Sequence, residues 1–345
     1  MAQRGKKRVS LKDIAKAIGV NASTVSRALD PTSTHPLSDE LKERIRKASQ
    51  RLGYKPNLAA YSLRTNLSKT VGVVVPDITD PVFPPILRGI EAALEKSGYV
   101  AIIANSENDK RREARVIDAL SSRGVDGFIL ATMRRKRDAS LERINDRPLV
   151  SVARQPDNES VSSVVHDEEE GIRYLLDHVI SLGHRRIAMI AGPQSLSTGF
   201  RRFRAFEQHL DAAGLSMANP GASFADAFTE LEGQRCAEEL LASKKSFTAV
   251  LCANDRLAIG AISAFRRHGL SCPQDVSVTG FNDMPFANQV QPPLTTVRLQ
   301  HYEAGIQAAN LVIGMIESDG DKIPPKHIVL PVELIVRGST QAVRS

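Results

Sequence analysis

From Thr70 onward the chain alternates β-branched runs with amphipathic helical stretches, and this alternation restricts the fold more than any other feature. TVGVVVP opens it as a continuous apolar run, the pattern of a strand buried on both sheet faces. Pro84–Lys96 reads as a helix, YVAIIAN as a strand, Glu107–Ser122 as a helix, and VDGFILA and PLVSVA as strands. The cycle resumes with helical EEGIRYLLDHVISL, strand RIAMIAG, helical FRRFRAFEQHLDAAG, and a helix at Glu230–Leu241. Strand TAVLCA, helix RLAIGAISAFRRHG and strand VSVTGF follow. Repeated βα units predict parallel, doubly wound sheets. Two such series, separated near residues 154–168, predict two similar lobes. Ligands of such sheets sit outside the carboxyl ends of the strands, here in a cleft between the lobes.

The stretch before this body has a different texture. In SLKDIAKAIGVNASTVSRAL, residues 10–29, Leu11, Ile14, Ala15 and Ile18 fall on one helical face. Ser10 with Asp13 three residues on predicts a capping box, Gly19 a helix stop, and Asn21 the cap of a second helix. Val25, Ala28 and Leu29 then point back at the first helix, leaving Ala22, Ser23, Ser26 and Arg27 outward. Two short helices joined by a tight glycine turn are the helix-turn-helix arrangement. They also suit any two packed helices whose Ser and Thr are merely solvated. Ser38–Leu52 predicts a third helix with Leu41, Ile45, Ala48 and Leu52 inward and Gly53 as its stop. Asn57 can cap a fourth segment, Leu58–Arg64, too short to be stable alone and a candidate for folding on binding.

Charge favours the first of those readings. The 345 residues carry a formal +7. Residues 1–66 hold 14 Lys/Arg against 5 Asp/Glu, a net +9, which leaves −2 for the rest. A basic module on a near-neutral body calls for a polyanionic partner. Cys236, Cys252 and Cys272 show no CxxC and no metal-ligand spacing, so no metal is expected, and an odd, sparse count suits a reducing cytoplasm. Neither a secretory h-region nor a run of roughly 20 apolar residues is evident, so no membrane partner is expected.

The chain resembles the lactose/galactose repressor (LacI/GalR) family of bacterial transcription regulators over essentially its whole length. The resemblance is carried by VSLKDIAKAIGVNASTVSRAL, RLGYKPNLAAYSLRT, TVGVVVPDITDPVF, SLGHRRIAMIAGP, CANDRLAIGA and TGFNDMPFANQVQPPLTTV. It implies an α/β protein with a small all-α helix-turn-helix head and a two-lobed, periplasmic-binding-protein-like (type I) body with two doubly wound parallel sheets. The implied divisions are residues 1–56 for the DNA-binding head and 57–69 for a hinge helix and linker. Residues 70–345 form the effector-binding and dimerisation domain. Its N-lobe is expected at about 70–167 and 299–322, its C-lobe at about 168–298 and 323–340.

The resemblance also implies a cytoplasmic homodimer in which each head reads half of a near-palindromic operator. Asn21–Leu29 is the implied recognition helix. Ala22 and Ser23 match its most variable positions, and Arg27 a basic position that donates to guanine or phosphate. Ser10, Lys12, Thr24 and Ser26 look like phosphate contacts. Asn21, Asn57 and Ala60 belong to the same DNA set, and Leu63 matches a leucine wedged into the central minor groove. The proline-rich Asp30–Leu37 looks longer than usual, which puts the backbone contacts of that loop in doubt. No leucine heptad tail follows the last strand, so a dimer is expected rather than a coiled-coil tetramer.

For a small-molecule effector, Phe83, Phe228 and Arg202 match positions that stack on or hydrogen-bond a ligand, Asn254 and Asn282 match polar pocket positions, and Asp80, Thr132 and Arg154 complete the expected effector set. Two positions depart from the family pattern. Ala153 followed by Arg154 stands where an acidic residue is frequent, and Asn282 where an aspartate is usual. Loss of acceptor charge with Arg202 and Arg154 present predicts a small anionic metabolite, such as a carboxylate with an apolar or aromatic part. No cofactor and no catalytic residue are expected, because His166, His184 and His301 are isolated and no nucleophile–base pairing stands out. The alternatives are an exported sugar-binding protein and a DNA-binding architectural protein without effector.

Overall fold

The computed structural model describes residues 9–29, 35–54, 67–136, 140–144, 147–215, 221–243, 246–318 and 323–343. Asn57, Ala60, Leu63 and residues 30–34 of the proline-rich loop lie outside them. The chain divides into two compact units, Met1–Ser68 and Lys69–Ser345.

The first unit contains α1 (Leu11–Ile18), α2 (Ala22–Ala28) and α3 (Asp39–Leu52). The predicted capping box is present. Ser10 Oγ accepts from the Asp13 N–H, while the Asp13 carboxylate accepts from the Ser10 backbone N–H at 2.8 Å. Gly19 closes α1 in the left-handed conformation at φ 71°, which a residue with a Cβ adopts only at a cost. Ser38 caps α3 and Gly53 ends it. Ile14, Ala15, Val25, Ile45 and Ala48 are buried together, with Leu11, Ile18, Leu41, Leu52 and Tyr54 around them. One expectation fails: Asn21 occupies the cap position of α2, yet its side chain makes no capping hydrogen bond.

In the second unit, six parallel strands form one sheet: β1 (Thr70–Val75), β2 (Val100–Asn105), β3 (Gly127–Leu130), β4 (Leu149–Val152), β5 (Ser162–His166) and β11 (His327–Leu330). Their order is β11-β5-β4-β3-β1-β2. Helices α4 (Phe83–Lys96) and α11 (His301–Glu317) cross on one face and α5 (Lys110–Ser122) covers the other, with α6 (Ser140–Ile144) beside α5. The α4–α11 crossing is close enough that a Cβ on Gly305 would lie 2.1 Å from the Ile86 carbonyl oxygen. The second sheet joins β6 (Ile187–Ala191), β7 (Ala222–Phe224), β8 (Ala249–Cys252) and β9 (Ser277–Thr279) in the parallel order β7-β6-β8-β9. Helices α7 (Glu168–Ser181), α8 (Ser197–Ala212), α9 (Glu230–Ala242) and α10 (Asp255–Arg267) enclose it. A short antiparallel pair, β10 (Thr296–Arg298) with β12 (Glu333–Ile335), completes this lobe.

Sequence periodicity names neither β5 nor α11. Helix α11 is apolar around most of its circumference because both α4 and the sheet bury it, which blurs its period. The lobe boundary also needs correcting. Strand β11 pairs with β5 from Ser163↔His327 to His166↔Leu330, so the chain leaves the first lobe for the last time after Leu330, not near residue 322. Three crossings join the lobes: at Asp167, at Leu299–Gln300 and at Pro331–Val332. No helix among the described residues is long and apolar enough to cross a membrane.

Candidate functional site

On the head, the residues read as DNA contacts separate into two groups. Ser10, Lys12, Asn21, Ser23 and Arg27 are exposed. Thr24 and Ser26 are half-buried, and so is Ala22, which packs against the head core instead of standing wholly outward. Ser10 Oγ donates to Asp13 Oδ2 at 2.7 Å, so its proton is already engaged by the cap.

In the body, a cleft lies where the strands of both lobes end, the place where small-molecule ligands of such sheets gather. Seven of the eight predicted effector residues line it: Asp80, Phe83, Arg154, Arg202, Phe228, Asn254 and Asn282. Phe83 is the first residue of α4 and Phe228 packs on the second lobe, where a Cβ on Gly192 would sit 2.4 Å from its ring. Asn254 caps α10, its Oδ1 accepting from Leu257 N–H at 2.8 Å. Asn282 holds φ 118° at the turn before the strand pair. Thr132 does not line the cleft. It is buried, with Oγ1 donating to Glu113 Oε1 of α5 at 2.7 Å.

The charge reading of Arg202 is also corrected. Arg202 is 3% exposed, and its guanidinium is ion-paired through Nε to Glu168, donates through Nη1 to the Ala253 carbonyl, and stacks 3.8 Å from the centroid of Phe281. Glu168 therefore neutralises it. Asp80 sits 3.8 Å from Arg256, which also holds Glu230 at 2.7 Å. Burial nonetheless raises the Asp80 carboxyl above its ordinary range, against the backbone N–H of Val82 and the Arg256 charge.

The sequence reading missed several members of the cleft. His166 and His301, treated as isolated, meet edge to face with ring centroids 5.5 Å apart. Burial pushes His166 down to about 3 and His301 down to about 4, so both are neutral near pH 7. Glu168 and Thr198 line the same space. His166 Nε2 and Thr198 Oγ1 are buried without a hydrogen-bond partner, and His301 makes no bond of ordinary geometry to its neighbour, the Asn282 backbone. Their only available signal was position at strand and helix ends, where ligands of such sheets gather. His184 is different: it joins Thr248, Ser277 and the Gln341 carbonyl at 2.9–3.1 Å and is structural.

Contacts also tie the two lobes beside the cleft. Gln155 N–H donates to Ser197 Oγ at 2.9 Å, and Arg135 lies 3.4 Å from the Phe200 ring centroid while donating to the Gln194 carbonyl. No group of three or more His, Cys, Asp or Glu side chains able to hold a metal occurs among the described residues.

Comparison with known proteins agrees with both units. Residues 10–57 match the family of bacterial regulatory proteins, lacI family, and residues 176–340 match a periplasmic binding protein-like domain. The HTH-type transcriptional repressor CytR of Escherichia coli (strain K12) is 32% identical over 346 residues, covering 99% of each chain. The HTH-type transcriptional repressor PurR of Histophilus somni (strain 129Pt) is 30% identical over 336 residues, covering 96% of this chain and 99% of its own. Among solved structures, the Lac repressor dimer bound to operator and the anti-inducer ONPF superposes with a TM-score of 0.84 at 25% identity, covering 97% of this chain and all of the other. The complex of the transcriptional regulator CelR with cellobiose gives a TM-score of 0.73 at 30% identity, covering 96% and 100%. Both units, in this order and across nearly the full length of these relatives, identify the chain as a member of the lacI family of bacterial regulatory proteins.

Proposed function

We propose that this protein is a cytoplasmic transcriptional repressor, not an enzyme, that binds a near-palindromic operator as a homodimer and changes its DNA affinity when a small metabolite occupies the cleft. The observation that carries this reading is the presence, in one chain, of a capped helix-turn-helix and a cleft whose buried polar atoms await partners. Asn21, Ser23 and Arg27 supply the exposed polar face of α2, and Lys12 adds positive charge from α1. Leu63, Asn57 and Ala60 keep their implied minor-groove and hinge roles from sequence. A second copy fits edge strand β2, where Val100 is 63% exposed and Ile103 36%; apolar edges of this kind are covered in stable proteins. A metabolite bound between lobes biases their relative position, which is how it can bias the DNA-bound state.

The test is selection of genomic fragments by purified protein, followed by binding to a selected site over a range of salt. A head of net +9 displaces counterions from several phosphates, so log K should fall steeply with log[salt]. Sequence-independent binding, or a flat salt dependence, overturns the reading.

A further inference from the structure

The two lobes are joined in two ways. The chain crosses between them at Asp167, Leu299–Gln300 and Pro331–Val332, and these covalent joins can only act as hinges. Contacts between side chains and backbone can break. In the segment that follows β3, the breakable contacts centre on Arg135. Its backbone N–H donates to the Ser195 carbonyl at 3.1 Å, and its Nη1 donates to the Gln194 carbonyl at 3.3 Å. Its guanidinium lies over the Phe200 ring, 3.4 Å from the centroid. All three partners belong to the second lobe, Phe200 to the first turn of α8 and the other two to the loop before it.

The guanidinium is aimed by its own lobe. Asp157, between β4 and β5, accepts from Nε at 3.3 Å and from Nη2 at 3.4 Å, and its N–H donates to the Arg135 carbonyl at 2.9 Å. The Asp157 side chain is 48% exposed, so the ion pair alone adds little stability. Its effect is to fix the plane of the fork over the ring. A planar cation laid flat on an aromatic face, with a carbonyl oxygen in reach, is a contact that lysine cannot reproduce.

Helix α8 carries Thr198 and Arg202 into the cleft. Whatever grips its first turn therefore sets where these groups stand relative to Phe83 and Arg154 of the first lobe. Beside Arg135, Gln155 N–H donates to Ser197 Oγ at 2.9 Å, a bond between the lobes that Arg135 does not make. The Asp80–Arg256 pair, which also spans the lobes, is looser at 3.8 Å. Resting on the reading of the cleft as the effector site, we propose that Arg135 is a positioning residue that clasps α8 to the first lobe, setting how far the lobes close and how strongly the chain holds its operator.

Hydrogen exchange of the full chain, followed at the Gln155 amide, tests the clasp without any ligand. Binding to a selected genomic fragment tests its consequence. In Arg135→Gln the Gln155 amide should exchange about tenfold faster, while amides of β1 and β6 keep their wild-type rates. Arg135→Lys should behave like Arg135→Gln. Phe200→Leu should reproduce the effect and Phe200→Tyr should not. Combining Arg135→Gln with Phe200→Leu should add little to either, because both remove one contact. Affinity for the selected fragment should change severalfold in Arg135→Gln, with binding to random-sequence DNA unmoved. Unchanged Gln155 exchange, acceleration spread through both sheets, additive effects in the double variant, or unchanged affinity for the selected fragment each overturns the proposal. If wild type itself does not prefer that fragment to random DNA, the repressor reading falls, and the exchange rates still decide whether the clasp exists.

Discussion

The head and the cleft are built on opposite principles. Among its described residues, the head is held by five buried side chains drawn from three short helices and by serine caps at positions 10 and 38, so its helix boundaries are set by contacts a few residues apart. The cleft takes Asp80, Arg154, Arg202, Asn254 and His301 from the ends of different strands and helices and brings them together only when both sheets exist. A small core with good caps folds from local signals but has little stability to spare. A large core tolerates buried charge, and it can keep polar atoms unpaired for a ligand. In this chain specificity for DNA sits on the fragile unit and specificity for the metabolite on the robust one.

The largest expected effect probes that tolerance. Arg202→Met strands Glu168, 5% exposed, without its cation. Removing one partner of a buried pair costs roughly 3–5 kcal/mol, so urea unfolding of the body should shift by about that amount. Glu168→Gln combined with Arg202→Met should recover most of it. If Arg202→Met is neutral alone, the pair is not the structural brace described above.

A somewhat smaller effect tests the head. Ile45 is fully buried at its centre. Ile45→Ala should cost about 2–4 kcal/mol, which exceeds what a core of this size can lose. Operator binding should vanish while the melting of the body is unchanged. A single melting transition that shifts as a whole would instead mean that the two units stabilise each other.

This contrast also explains what could be read from the sequence. Ser10, Asp13 and Gly19 are separated by one or two helical turns, so a spacing rule finds them and the structure agrees. Alternating βα segments gave the two sheets for the same reason, since each strand and helix advertises its own period. Asp80, Phe83, Arg202, Phe228, Asn254 and Asn282 were placed through resemblance, and they do converge on the cleft. Thr132 failed because a residue beside the cleft can turn to a buried partner, here Glu113. Nothing local links His166 with His301, or Glu168 with Arg202. Those pairings arise where the chain crosses between lobes, and the partners lie far apart in sequence.

The smallest effect separates structure from recognition at one residue. Ser10 closes the capping box with Asp13, accepting from its N–H and donating to its carboxylate at 2.7 Å. Losing such a cap costs about 1 kcal/mol, a small amount for the body but a noticeable fraction of a head with so few buried side chains. Ser10→Ala should therefore lower the melting of the head and leave the body unmoved. Asp13→Ala should cost a similar amount, and the double variant little more than either, because the two side chains act as one unit. Were Ser10 instead chiefly a phosphate contact, Ser10→Ala would weaken operator binding at unchanged head stability, and Asp13→Ala would not reproduce it. Ser10→Thr keeps both the acceptor and the donor, so it should restore the melting temperature if the cap is what matters.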